Sequence, residues 1–256
     1  MSITKPYYRL WRPVKGYSPW GYGIGKQTSL ASIAYLKDDR FACQLEMQSS
    51  ITATHLIIRD LYDIFNYIEP HDDNKKTFSH RVYELFLRTV TEFESNCRGI
   101  LKANDYPNDI KKLKIKDYFK ISHVARLSEY KISFERWIPY REYKPFAVWE
   151  NVEYVPLSWY QSYNKIKHNR YINFSEANLE NLMNAIAGLL CILHAQYGDE
   201  MQSACFERIS LVQNNQEKVE TGTFTIIAPH FSEEEQYNFI WLEIKGENNP
   251  FQKCVF

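Results

Sequence analysis

The stretch "WYQSYNKIKHNRY", residues 159–171, places Lys165, Lys167, His168 and Arg170 within six consecutive positions, among four aromatic rings. Histidine is the side chain best suited to proton transfer near neutral pH. Neighbouring cations hold a phosphate and stabilise charge that develops on it. On a helix over 157–169, Trp159, Tyr163 and Ile166 follow the i, i+4, i+7 spacing and face a core. Tyr160, Asn164, Lys167, His168 and Tyr171 then line an adjoining face, with Asn164 one turn before His168 and able to orient its imidazole. The chemistry this pattern allows is proton transfer at a phosphate bound by Lys165, Lys167 and Arg170. The same pattern also describes a solvated basic helix face.

Other candidates carry less. Arg88 and Glu92 stand at i,i+4 on the helix expected beside this one, where they either support His168 or form an ion pair with each other. His55 reads as a core-edge histidine. "EPHDDN" at 69–74 clusters His71, Asp72 and Asp73 but follows no metal-ligand spacing, so it reads as a solvated turn and no metal site is expected. "WGYGIGKQT" resembles a phosphate-cradling loop, but Trp20 stands where the first glycine belongs and Gln27 follows Lys26 in place of Ser or Thr. No GxSxG elbow occurs, and no cofactor is implied. Tyr7, Tyr8, Trp11, Tyr17, Trp20 and Tyr22 alternate with bases, as a single-strand stacking surface does or as an arm that lays rings on a core.

Four helices can position these groups. The first runs over about 50–69, with Ile51, His55, Ile58, Tyr62 and Phe65 at helical spacing and Pro70 ending it. The second, over about 77–103, carries one stripe of Phe78, Val82, Leu85, Phe86, Val90, Phe93, Cys97 and Ile100. The third is the 157–169 helix. The fourth starts from Ser175 as N-cap and continues through Leu179, Leu182, Ile186, Leu189 and Leu193. Between the second and third lie a lysine-rich patch, "IKKLKIKDYFK", and two strand-like runs, "EYKISFERW" and "PFAVWE". "GTFTIIAP" and "YNFIWLEIKG" also read as strands. The periodicities predict a shared core of Val82, Phe86, Phe93, Trp159, Tyr163, Leu182, Ile186 and Leu189.

The predicted fold is therefore mainly α, a bundle of four or more helices with short peripheral strands. An aromatic and basic arm covers 1–49. The bundle covers 50–198, with a strand-containing insertion near 128–149. An acidic segment with short strands, packed on the bundle, covers 199–256. Formal net charge is zero over 256 residues, so no global field draws the chain to nucleic acid or membrane. Charge is nonetheless uneven: residues 1–27 hold five bases and no acid, while 199–256 hold ten acids against four bases. Such ends form a local binding surface or pack on each other. The cysteines at 43, 97, 191, 205 and 254 never form CxxC, which is the usage of a reducing compartment. No leader-like start occurs, and the most apolar run, 184–195, is too short to span a bilayer. A cytoplasmic protein with no membrane partner is expected.

The succession "RVYELFLRTVTEFESNCRGIL", "YNKIKHNR" and "FSEANLENLMNAIAGLL" resembles the HEPN superfamily over about residues 50–196. That resemblance implies a helical bundle that dimerises. In many members it implies a metal-independent endoribonuclease of toxin–antitoxin or antiviral defence systems. The family motif is an arginine, a polar residue and, a few positions on, a histidine. Asn164 and His168 match the last two, and Tyr163 stands where the arginine would be. The implied reaction is attack by a ribose 2′-hydroxyl on the adjacent phosphate, with His168 as general base or acid. Asn164 would orient it, and Lys167 or Arg170 would replace the arginine as phosphate clamp. The implied partners are RNA, a second copy of the chain and a partner protein or antitoxin. The alternative is a non-catalytic interaction or dimerisation subunit, which Tyr163 favours.

Overall fold

The computed structural model describes residues 3–15, 43–198, 209–213, 216–244 and 246–256. Tyr17, Trp20, Tyr22, Lys26 and Cys205, and with them the "WGYGIGKQT" loop, lie outside the described residues. The chain is mainly helical with short strands. Its longer helices are α1 (Cys43–Ile64), α2 (His80–Ala103), α3 (Ile115–Ala125), α4 (Ser158–His168) and α6 (Leu179–Tyr197). α5 (Arg170–Asn173) and α7 (Trp241–Ile244) are single turns.

α6 explains the arrangement. Sixteen of its nineteen residues are buried, so it is apolar all round and must be surrounded. α2 packs along it, α4 covers the pair, and α1 and α3 pack on the other faces of α2. All eight residues predicted for the core are buried. Ser79 opens α2 as N-cap, its hydroxyl accepting from the Val82 N–H at 3.2 Å. Phe78, predicted to extend the apolar stripe, lies before that cap and is 47% exposed.

Several boundaries differ from expectation. α6 is capped by Asn178, not Ser175, because residues 174–176 form a tight turn and the Asn178 side chain accepts from the Asn181 N–H. "PFAVWE" is a 3-10 turn over Ala147–Glu150 that stacks Phe146 on Trp149, with ring centroids 5.0 Å apart. The "YNFIWLEIKG" run contains α7 where a strand was predicted. The lysine-rich patch runs into α3, whose Tyr118, Phe119, Ile121, Ser122 and Ala125 are buried at helical spacing. His55 is exposed, so it is not a core-edge residue.

The strands form one antiparallel sheet. β1 (Lys131–Phe134) and β2 (Glu142–Tyr143) come from the middle of the chain. β3 (Ile209–Gln213), β4 (Gln216–Glu220) and β5 (Phe224–Ile227) come from the C-terminal part. The order is β2-β1-β5-β4-β3, so the β1–β5 pairing ties the predicted insertion to the C-terminal segment, with Ile132 opposite Ile226.

Residues 3–15 run between α6 and the C-terminal segment. The Trp11 N–H donates to the Ala195 carbonyl at 2.8 Å, and the Tyr237 hydroxyl donates to the Leu10 carbonyl at 2.6 Å. Gly198 ends α6 with φ +58°, and a Cβ there would stand 2.3 Å from the Trp11 ring. Only glycine meets both demands.

Glu235 holds the loop before α7 to the end of α3. Its carboxylate accepts from the Arg126 Nη2 at 2.8 and 2.9 Å and from the Ser232 N–H and hydroxyl. Burial pushes this carboxyl up, and the Ser232 and Arg126 donors more than offset it, holding it below its usual range. A depressed carboxyl stabilises the fold above its unfolded value and loses that contribution as pH falls through the folded one. Wild type should therefore be more heat-stable than Glu235→Gln at neutral pH. The difference between their melting temperatures should begin to shrink near pH 4.5, the ordinary value of this group, and vanish as pH falls below the folded value. A difference that stays constant across that range would show that the Glu235 charge contributes nothing to stability.

Candidate nucleic-acid interface

α4 begins after Pro156, with Leu157 in the N-cap position, and turns Trp159, Tyr160, Ser162, Tyr163 and Ile166 inward. The Trp159 indole donates to the Pro145 carbonyl at 3.0 Å, which fixes the rotation of the helix about its axis. Tyr160, predicted on the ligand face, is instead buried, and its hydroxyl donates to Glu94 at 2.6 Å. Tyr163, where the resemblance would place an arginine, meets Phe86 edge to face in the core.

The helix ends at His168 because Asn169 leaves helical geometry, with φ −148° and ψ 82°. The Asn173 amide donates back to the Lys165 and Asn169 carbonyls at 3.2 and 2.9 Å, which closes a sharp elbow between α4 and α5. Tyr171 therefore belongs to α5 and not to a common face with Asn164. It is 95% exposed.

His168 is exposed and lies on a shallow groove lined by Gln161, Asn164, Lys165, His168, Asn169 and Asn173. Asn164 and His168 thus share one surface, but no hydrogen bond joins them. Lys165 is not free: its ammonium lies 2.9 Å from Glu176, whose other oxygen accepts from the Ser162 hydroxyl at 2.6 Å. Those two donors hold the Glu176 carboxyl below its usual range. Lys167 and Arg170 are different. Among the described residues neither has an acidic partner. Lys167 sits over the Tyr163 ring at 5.3 Å and Arg170 over the Tyr83 ring at 5.6 Å, so both charges face water on an aromatic backing.

Arg88 and Glu92 are not part of this groove. Arg88 pairs with Asp60 of α1. It lines a separate cleft of about 610 Å³ with Asp63, Tyr67 and Arg81. Glu92 is half-buried, which raises its carboxyl while nearby Arg88 lowers it.

One cluster was missed by the sequence reading. At the start of α2, Phe78, His80 and Tyr83 surround Phe174, which directly follows the groove residue Asn173. The pairing of an aromatic and a histidine in "FSHRVY" is visible in the sequence, yet nothing in its spacing ties it to residues 164–174.

No metal-holding group of three or more His, Cys, Asp or Glu occurs among the described residues. No described helix is long and apolar enough to cross a membrane. The described cysteines 97, 191 and 254 are free and buried. No family model, curated protein or solved structure matches this chain.

Proposed function

We propose that this is an RNA-directed, HEPN-like protein of the cytoplasm, working as a homodimer in a defence or toxin–antitoxin setting. It holds a strand by its phosphates at the α4–α5 elbow. The observation that carries this reading is the pair of cations, Lys167 and Arg170, displayed on either side of His168 with no acidic partner among the described residues. A fixed, unneutralised cation releases counterions when it meets a phosphate backbone, which supplies most sequence-independent affinity. The elbow holds the two charges and the imidazole on one short turn.

Holding RNA and cutting it make different demands. Cutting through the 2′-hydroxyl needs a base, an acid and a stabiliser of phosphorane charge. His168 can take or give one proton, and Arg170 can face the phosphate with its guanidinium fork. Tyr163 cannot serve as the stabiliser, because it is buried against Phe86. That burial favours a reader of RNA. The shared groove position of Asn164 and His168 favours the second reading, a metal-independent endoribonuclease.

One experiment separates them. Labelled oligouridylate should bind wild type, and the double charge reversal Lys167→Glu, Arg170→Glu should weaken binding by roughly 10- to 100-fold and flatten the salt dependence. Unchanged affinity and salt slope would remove the elbow from the interface. The same mixture, kept with chelator, should yield intact strands if the protein is a reader. Products ending in 2′,3′-cyclic phosphate, lost with His168→Ala, identify the ribonuclease. The dimer in this reading corresponds to a sedimenting mass twice the 30.5 kDa of one chain.

A further inference from the structure

Cations alone do not distinguish a paired strand from an unpaired one. The cluster beside the elbow does. Phe174 is met by three rings: Phe78 edge-on with centroids 5.6 Å apart, Tyr83 tilted at 5.9 Å and the His80 imidazole tilted at 4.7 Å. Phe78 is 47% exposed and His80 is exposed, so two of these rings reach solvent. Arg170 connects the cluster to the cationic elbow, since its guanidinium lies over Tyr83. Tyr171, the next residue in the chain, is almost fully exposed.

We infer that this shelf, with Phe78, His80 and Phe174 at its centre, stacks the bases of an unpaired strand whose phosphates lie on Lys167 and Arg170. The inference rests on the reading of the elbow as a phosphate holder. Flat rings beside unpaired cations are the combination that single-strand surfaces use, because every base offers a π-face while a duplex keeps its bases stacked on one another. Charge complementarity selects a polyanion as occupant: Arg170 has no acidic partner among the described residues, and it contributes to both the elbow and the shelf. Phe174 belongs to the turn that follows Asn173, so shelf and groove are held in register by the same hydrogen bonds that close the elbow.

The test compares three ligands on the full chain: oligouridylate, a ribose-phosphate strand of equal length without bases, and a duplex RNA. Wild type should prefer oligouridylate over the base-free strand. His80→Ala with Phe174→Leu, which removes two of the three central rings while leucine keeps apolar volume at 174, should weaken oligouridylate binding about 5- to 150-fold for each base unstacked. The same variant should bind the base-free strand as wild type does. Phe78→Ala, at an exposed ring before the α2 cap, provides a second variant should the first fold poorly. Equal wild-type affinity for base-bearing and base-free strands overturns the shelf and leaves the phosphate reading standing, provided Lys167 and Arg170 still matter. Failure of every strand to bind overturns both. Shelf variants that split a dimer and leave strand affinity unchanged would instead make this face a contact between copies.

Discussion

Phe93→Ala should destabilise the fold by about 3–5 kcal/mol, the range for removing a fully buried large ring. Phe93 is completely buried on α2 and stacks on Phe146 at 5.8 Å. It also meets Trp159, Tyr118 and Tyr160 edge to face at 5.4, 6.2 and 6.5 Å. These partners come from α3, α4 and the turn before α4, so the resulting void opens where three elements converge and none can collapse alone. Edge-to-face pairs add stabilisation beyond buried area, which places the expectation toward the upper end. Urea unfolding measures it through the midpoint at constant slope. A loss below about 1 kcal/mol would mean that the cluster repacks freely. Tyr171→Ala, at an exposed ring, should stay within about 0.5 kcal/mol of wild type and serves as the control.

Arg9→Ala should cost about 2–5 kcal/mol, and Arg9→Lys should recover little of it. The Arg9 guanidinium is buried, with Nε donating to Gln196 and Nη2 to the Tyr197 hydroxyl, each at 2.9 Å, while Nη1 pairs with Glu46 of α1. Gln196 in turn donates to Asn96 of α2 at 3.0 Å. One fork therefore joins the N-terminal stretch to three helices. Truncation leaves buried acceptors unmet, at roughly 1–3 kcal/mol each. A lysine carries the charge but not the planar fork that reaches three separate partners. Gly99 supports the same contact from α2, since a Cβ there would lie 2.4 Å from the Arg9 Nη1. Gly99→Ala should therefore weaken the fold in the same experiment. Arg9→Ala within 1 kcal/mol of wild type would show that water replaces the network.

The helical core was legible because its signal is periodic and local. Val82, Phe86 and Phe93 recur on one stripe of α2, and Trp159, Tyr163 and Ile166 do so on α4. α3 was hidden because the patch leading into it, residues 110–120, carries five lysines against two rings, while Tyr118, Phe119 and Ile121 carry the buried face beside exposed Lys116 and Lys120. The α4–α5 break was also obscure, since Asn169 is acceptable inside a helix and only its non-helical dihedrals and the Asn173 hydrogen bonds show that it ends one. At the candidate site, residue types and the exposure of Lys167, His168 and Arg170 could be read from spacing. Which cations stay unpaired could not. Lys165 meets Glu176 eleven residues on, and Arg170 finds Tyr83 eighty-seven residues back. Both follow from helix packing, which no local pattern encodes.

The clasp on Tyr237 has a consequence for how the chain is made. Its N–H donates to the Pro13 carbonyl, its carbonyl accepts from the Lys15 N–H, and its hydroxyl donates to Leu10 while accepting from the Tyr7 N–H. Each contact spans more than 220 residues, and β1 likewise waits for β5 across about ninety. During synthesis the bundle from α1 to α6 emerges before Tyr237 exists. The N-terminal stretch, with Tyr7, Leu10 and Trp11, must travel with its groove half built. Loop-closure entropy grows slowly with length, so such a clasp adds little thermodynamic cost, but it places the last docking step after the final strand leaves the ribosome. Until then the N-terminal stretch lacks the Tyr237 clasp, and nascent chains stalled before residue 237 should be more aggregation-prone than the full chain.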